Sequence, residues 1–468
     1  MSAAPEKGMQ PSSMFSLPRK EALTLLGCFA VALIFYLAVW PAVPLQDADS
    51  PEYLAAAEDL LDFRLDALHH RTPGYPVLLA LTGSVPQPGR PIIVLSLTLH
   101  LATVWLLVAL SRKAGVATTY RFLLAGLLLL PARVENANWV LSDTPTAFWL
   151  ALGTATLLAG LWSSRNTLVI VAGVAFGIAG LTRPVYLVLW APLAFWFLVN
   201  PFASRFYANL TGRLRTVLAL TVPAVLIAGT FVLWNFANFD FFGPSPRMGY
   251  HLGTRTVRVL ERLPESDEPV RGILIRARDQ ALVESHTDHR GFYYWYHCRE
   301  ELLAATGMSE PELSRYLTRL HVKLILAAPL HYLEDVTHAF ATYWFPAPTS
   351  LANFGSRWVQ SLWVLLHFVI MAVFFAELLA LLGVSLLAGI SRWRAGPNLG
   401  PLLDDQSRFT ATCYTLAGVI VFFTAIVSST IEFGAPRVRI CTDGLILAMC
   451  FWGWLLCQRL ARSLHRAP

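Results

Sequence analysis

Two short stretches early in the chain gather groups that can move protons and hold anions. "QDADSPEYLAAAEDLL" carries Asp47, Asp49 and Tyr53, and "HHRTPGYP" carries His69, His70, Arg71 and Tyr75. A carboxylate with reduced solvation suits general-base work, and a guanidinium is a planar two-point donor to phosphate or carboxylate. The same residue types recur as Glu135 and Asp143 in "ENANWVLSDTPTAFW", Arg183 in "GLTRPVYL", and Arg437 and Arg439 in "APRVRI". Each also has a plainer structural reading. Asp49 with Glu52 fits a capping box with Pro51 in the first turn, and Asp143 before Thr-Pro fits an N-cap. Pro73, Gly74 and Pro76 suffice for a rigid turn, and Asp443, one helical turn past Arg439, is an internal partner for it. Two adjacent histidines without a matched third ligand say little about a metal.

The elements that must position these groups are apolar. Of 468 residues, 55% are hydrophobic and 14% charged, against about a quarter charged in an ordinary soluble domain. Windows such as "ALTLLGCFAVALIFYLAVWPAVPL" and "TVLALTVPAVLIAGTFVLW" are long enough to cross a bilayer as helices, and no run of alternating short strands points to a barrel. The net charge of +6 reads as cytoplasmic loops and lipid headgroups, so no nucleic-acid partner is expected. Five of the 6 cysteines fall in expected spans and Cys298 stands alone, so no disulfide framework or CxxC site is present to read. The N-terminal stretch lacks a small-residue cleavage site, so residues 22–44 are expected to be a retained span.

The hydropathy predicts an all-α polytopic protein with about ten spans, near 22–44, 90–111, 116–132, 144–162, 167–182, 185–200, 216–235, 359–389, 409–429 and 440–458. With the N-terminus in the cytoplasm, "SRKAGVATTYR", "SSRN", "NPFASRFYANLTGRLR", "SRWRAGPNLGPLLDDQSR" and the tail "QRLARSLHR" all lie inside, and every one carries Arg or Lys. Splitting 359–389 in two would invert every later loop, so it is kept as one long or tilted span. The span at 116–132 requires Arg121 to snorkel. The predicted organisation is therefore an N-terminal membrane module over 1–235 with an outer loop at 45–89, a mostly helical extracytoplasmic segment over 236–358, and C-terminal spans over 359–468. Within the middle segment, "SEPELSRYLTRL" carries a Ser-x-x-Glu capping signal. No internal repeat is evident, which counts against a transporter built from repeated halves.

There is no GxGxxG after a strand, no Walker lysine loop, no HExxH and no GxSxG elbow, which removes support from nucleotide-dependent and serine-hydrolase chemistry. The order of "DSPEY", "RTPGYPVLLAL", "VLSDTPTAFW", "GLTRPVYLVLWAP" and "NFANFDFFG" resembles the GT-C superfamily of polytopic glycosyltransferases, especially the branch with the bacterial lipid A aminoarabinose transferases and the protein O-mannosyltransferases. The motifs cover the chain to about residue 243, and the remainder matches in layout. The resemblance implies a sugar donor carried on a polyprenyl phosphate, a cell-envelope acceptor (glycolipid, polysaccharide or protein), and an active site on the outer face of a bacterial inner membrane, with both termini cytoplasmic. It implies Asp49 as catalytic base and Asp143 as a second loop acid. Arg71, Arg183, Arg437 and Arg439 would hold the lipid phosphate, with Tyr53, His70, Tyr75 and Glu135 also lining the substrate site. No cofactor is certain; a divalent cation is admitted if the fold gathers Asp49, Asp143 and His70. Where that branch carries a Lys-Pro-Pro type turn this chain has "RTPGYP", and its soluble segment lies in mid-chain, so sugar and acceptor do not carry over.

A polyprenyl phosphate is a good leaving group, so displacement at the anomeric carbon needs one base and nearby positive charge, and predicts inversion of configuration. The alternative is a transporter or flippase of lipid-linked sugars, which would also use rim arginines and acids.

Overall fold

A computed structural model of the chain describes residues 15–64, 70–200, 210–285, 294–347, 357–395, 404–431 and 434–465; His69 lies outside them. Among these residues the secondary structure is helical, and the one extended pairing is an isolated parallel bridge between Leu45 and Trp139. The chain is a multi-pass integral membrane protein. Seven helices are long and apolar enough to cross a bilayer: Arg19–Val39, Arg90–Lys113, Asp143–Ser163, Leu210–Phe239, Arg357–Leu387, Asp405–Ile431 and Pro436–Arg462. Two shorter apolar helices, Asn166–Thr182 and Pro184–Val199, lie between the third and fourth.

All ten expected spans are helices, but three are too short by themselves. The expected span at 116–132 is Thr118–Leu128, 11 residues. It ends where Pro131 opens the turn Pro131–Val134, because the residue before a proline is pushed out of the helical region. Arg121 does not snorkel to solvent; it is buried and donates to Glu21 of the first helix at 2.6 Å. The 359–389 region is one unbroken helix, Arg357–Ala395.

The main core is built where the Asp143–Ser163, Asn166–Thr182 and Leu210–Phe239 helices pack in sequence and the last two helices close against the Arg90–Lys113 and Asp143–Ser163 helices. A second core, around Tyr250, Leu260, Leu274, Leu302, Leu317 and Leu324, belongs to the mid-chain segment. Ser309 and Glu312 form the capping box that starts its Glu310–Ala327 helix. Pro329–Tyr343 then packs on the Asp405–Ile431 helix, and Tyr343 and Trp344 join the main core. The mid-chain segment is thus anchored to the membrane helices at its end.

Candidate active site

Asp49 immediately precedes the Ser50–Leu61 helix, with Pro51 fixing the first turn. It does not cap that helix. Its backbone is helical (φ −79°, ψ −22°) rather than extended, so its carboxylate does not reach back to the first free N–H groups. Glu52, the other half of the expected box, is likewise turned to arginines. The short hydroxyl does the local fixing instead: Ser50 Oγ accepts from the Asp47 N–H at 2.8 Å and donates to the Val140 carbonyl at 3.0 Å. Leu45 N–H donates to Asn138 O at 2.8 Å and Val140 N–H to Leu45 O at 2.9 Å, which pins the first loop to the approach to Asp143.

Asp143 also makes no cap. It is the first residue of its helix, its side chain is fully buried, and both oxygens face arginines. Arg183 reaches one of them because Pro184 forces Arg183 into an extended conformation (φ −145°, ψ 115°), ending the Asn166–Thr182 helix and turning its side chain back across the bundle. Arg437 reaches the other at 3.5 Å. Arg437 is placed by Gly434, whose φ of +66° and 2.2 Å approach of a hypothetical Cβ to the Ala339 carbonyl leave room only for glycine.

The result is an alternating chain of charges. Arg437 fans out to three acids: Nη1 to Asp47 at 2.6 Å, Nη2 to Asp49 Oδ2 at 2.9 Å, and Nε to Asp143. Arg71 donates through Nη2 to Asp49 Oδ1 at 2.6 Å and through Nε to Glu52 at 2.8 Å, with its guanidinium 4.5 Å above the Tyr53 ring. Arg247, from the start of the mid-chain segment, pairs with Glu52, and the Tyr296 hydroxyl donates to Asp49 Oδ1 at 3.3 Å. Tyr53 OH lies 3.0 Å from Ser142 Oγ, and Tyr75, fully buried, meets the Tyr53 ring edge-on at 5.0 Å. Cys441 Sγ sits 3.7 Å from Asp143 Oδ1.

Electrostatics follow from this ring. Burial pulls the Asp49 carboxyl upward, but Arg71, Arg437 and Arg247 together overcome it and hold Asp49 well below the usual carboxylate range. Glu52 behaves likewise: burial opposes its charge, and Arg247 and Arg71 lower it. For Arg71, burial works against the cation, while Tyr53, Asp49 and Glu52 fasten its proton more firmly than usual. Burial, with Asp49 next to it, pushes the Tyr296 phenol up to about 12.

Of the expected site residues, Asp49, Asp143, Tyr53, Arg71, Arg183 and Arg437 are brought together, with Tyr75 backing Tyr53. Three lie elsewhere. His70 Nε2 is 3.5 Å from Glu310, which also takes a two-point contact from Arg299 at 2.9 Å on each oxygen, so His70 ties the first loop to the mid-chain segment. Glu135 is buried in the single turn Glu135–Asn138, whose last carbonyl anchors Leu45. Arg439 is a correction: its side chain is fully buried and donates to Asp443 at 2.8 Å and to the carbonyls of Tyr343 and Phe345. The internal partner one turn on claims its Nε, and Nη1 satisfies two carbonyls at the C-terminal end of the Pro329–Tyr343 helix.

The expected cation ligands do not fit a metal either. Asp49 and Asp143 face Arg437 from two sides and His70 faces Glu310; among the described residues no three His, Cys, Asp or Glu side chains are placed to hold an ion. Sequence reasoning missed Arg247 and Tyr296, and read Glu52 only as a cap. "GPSPRMGY" and "YWYH" carry no local signal for a site, since only the fold brings Arg247 and Tyr296 to the acids of the first loop.

No family model matches the chain, and no curated protein matches it. Among solved structures, the crystal structure of ArnT from Cupriavidus metallidurans bound to undecaprenyl phosphate aligns at 13% identity over 95% of this chain and 78% of that one, with a TM-score of 0.33. The same protein in the apo state aligns at 13% identity over 94% and 77%, with a TM-score of 0.31. Likeness at this distance equates no residues between the chains.

Proposed function

We propose that the chain is an inverting glycosyltransferase of the GT-C type, moving a hexosyl or pentosyl group from a polyprenyl-phosphate donor to a cell-envelope acceptor on the extracytoplasmic face. The observation that carries this reading is the pair of arginines, Arg71 and Arg437, converging on one carboxylate that caps no helix, where the membrane-length helix Pro436–Arg462 begins. An acid at a rigid helix start supplies the base, and guanidiniums at the membrane rim balance the departing phosphate. Asp49 takes the acceptor hydroxyl proton, and Arg71 and Arg437 face the lipid phosphate. Asp143, held by Arg183, fixes Arg437 from behind. The segment over 236–358 closes the site with Arg247 and Tyr296 between the membrane parts at 1–235 and 359–468. The orientation rests on the positive-inside pattern of the loops, with both termini cytoplasmic.

The test is transfer of radiolabelled sugar from polyprenyl-phosphate donors by the purified full chain. Asp49→Asn is expected to lower transfer by roughly a hundred-fold or more, the usual worth of a positioned base. Full activity in Asp49→Asn would remove the base assignment. Specific counter-flow of a lipid-linked sugar with no transfer from any donor would favour the transporter or flippase.

A further inference from the structure

The two arginines that face the phosphate in the proposed reaction are already engaged. All three nitrogen positions of Arg437 point at carboxylates, and the Nε/Nη2 edge of Arg71, the edge that suits two-point binding of an anion, is divided between Glu52 and Asp49. Asp49 is the acid the two share. Its Oδ1 takes Arg71 and its Oδ2 takes Arg437, so the carboxylate bridges two guanidiniums as a phosphate would. Tyr53 under Arg71 and Tyr75 behind Tyr53 keep the first guanidinium in place, and Asp47 and Asp143 keep the second, so the pair of cations stays fixed if Asp49 leaves.

We infer that Asp49 is the resting occupant of the phosphate subsite: the phosphate of a polyprenyl-phosphate donor displaces it from Arg71 and Arg437, and only then is Asp49 a working base. This rests on the glycosyltransferase reading and adds an order of events to it. In the resting state Asp49 is a weak base, because Arg71, Arg437 and Arg247 outweigh its burial. The groups facing it are those three arginines and Tyr296, with Asp47, Glu52 and Asp143 reached through the shared guanidiniums. Once phosphate neutralises Arg71 and Arg437, burial dominates and the proton affinity of Asp49 rises. In the transfer step the acceptor O–H breaks and its proton goes to Asp49. The acceptor oxygen bonds to the anomeric carbon, whose bond to the phosphate oxygen breaks. The electron pair leaves on the polyprenyl phosphate, held by the same two arginines. Donor before acceptor is the consequence, and a base kept paired until the donor arrives is shielded from idle protonation.

The experiment is equilibrium binding of farnesyl phosphate, a short polyprenyl monophosphate, to the detergent-purified full chain and to Asp49→Asn. If Asp49 competes with phosphate, removing its charge tightens binding by about five-fold or more, although the same variant loses transfer. A purely structural Asp49 predicts the opposite, since its loss would loosen Arg71 and Arg437 and weaken binding. Should Asp49→Asn fail to fold, Glu52→Gln, which releases the other acid on the same Arg71 edge, is expected to tighten binding in the same sense. Unchanged or weaker binding in a folded variant, with the wild type still transferring sugar, overturns the displacement and leaves the glycosyltransferase reading standing. A wild type that neither binds farnesyl phosphate nor transfers sugar overturns both.

Discussion

Arg437 and Arg439 stand two residues apart in the 3-10 turn that opens the last membrane helix, yet their guanidiniums serve different ends. Arg437 is a quarter exposed and touches only acids of the site, whereas Arg439 is buried, pairs with Asp443 and holds two backbone carbonyls. Asp443 also takes Arg133, so removing Arg439 leaves the buried Tyr343 carbonyl unmet and a buried ion network broken. Arg439→Ala is therefore expected to cost about 3–5 kcal/mol of stability. Arg437→Ala should lower sugar transfer by roughly a hundred-fold with little loss of stability, since its charge is partly solvated and the proposed reaction sets it against the developing phosphate. Thermal unfolding and transfer measured on the same preparations separate the two. An Arg437 variant that melts early but transfers normally would reverse the assignment.

Among the elements, the turn that carries Arg71 has the least tolerance. A Cβ at Gly74 would lie 2.6 Å from the Leu181 carbonyl carbon and the Thr182 nitrogen, both backbone, so the turn sits directly on the end of the Asn166–Thr182 helix. That contact fixes Arg71 relative to Arg183, whose helix ends at the same place. Gly74→Ala must push the turn off, and a displacement near 1 Å at a positioning residue costs roughly a hundred-fold in rate. Gly89→Ala, where a Cβ meets only Pro91 at an ordinary 3.7 Å, is the control expected to transfer sugar at the wild-type rate. Equal rates for the two variants would dissociate the turn from the site. Much at this scale was legible in the sequence: helix order, the single long helix at 357–395 and the Ser309 capping box follow from hydropathy and from residue types three apart. The length at Thr118–Leu128 was not, because a proline sets where that helix stops while the apolar stretch runs on around it. The cap reading of Asp49 failed for a related reason. Local sequence offers a carboxylate to its own helix, but arginines brought by distant segments bind it more strongly.

At the scale of the whole molecule, the site exists only by assembly. Asp47 and Arg437 are separated by 390 positions in the chain, Glu52 and Arg247 by 195, and no local pattern encodes such pairings. The sequence could supply the acids and arginines, and charge bias could place them on one side; which acid meets which arginine is settled by helix packing. That sidedness is itself open to measurement. Asp143 begins and Ser163 ends a helix of 21 residues, which at 1.5 Å per residue spans about 31 Å, the thickness of a bilayer core. Asn166 therefore lies across the membrane from the site, while Glu58 lies exposed on the site's own helix. In a background without the native cysteines, Glu58→Cys is expected to react with an impermeant maleimide in intact cells, and Asn166→Cys only after permeabilisation. The reverse pattern would put Arg71, Arg437 and Asp49 on the cytoplasmic side, where a cell-envelope acceptor does not reach them, and the proposed reaction would have to be abandoned even if the helix bundle stood unchanged.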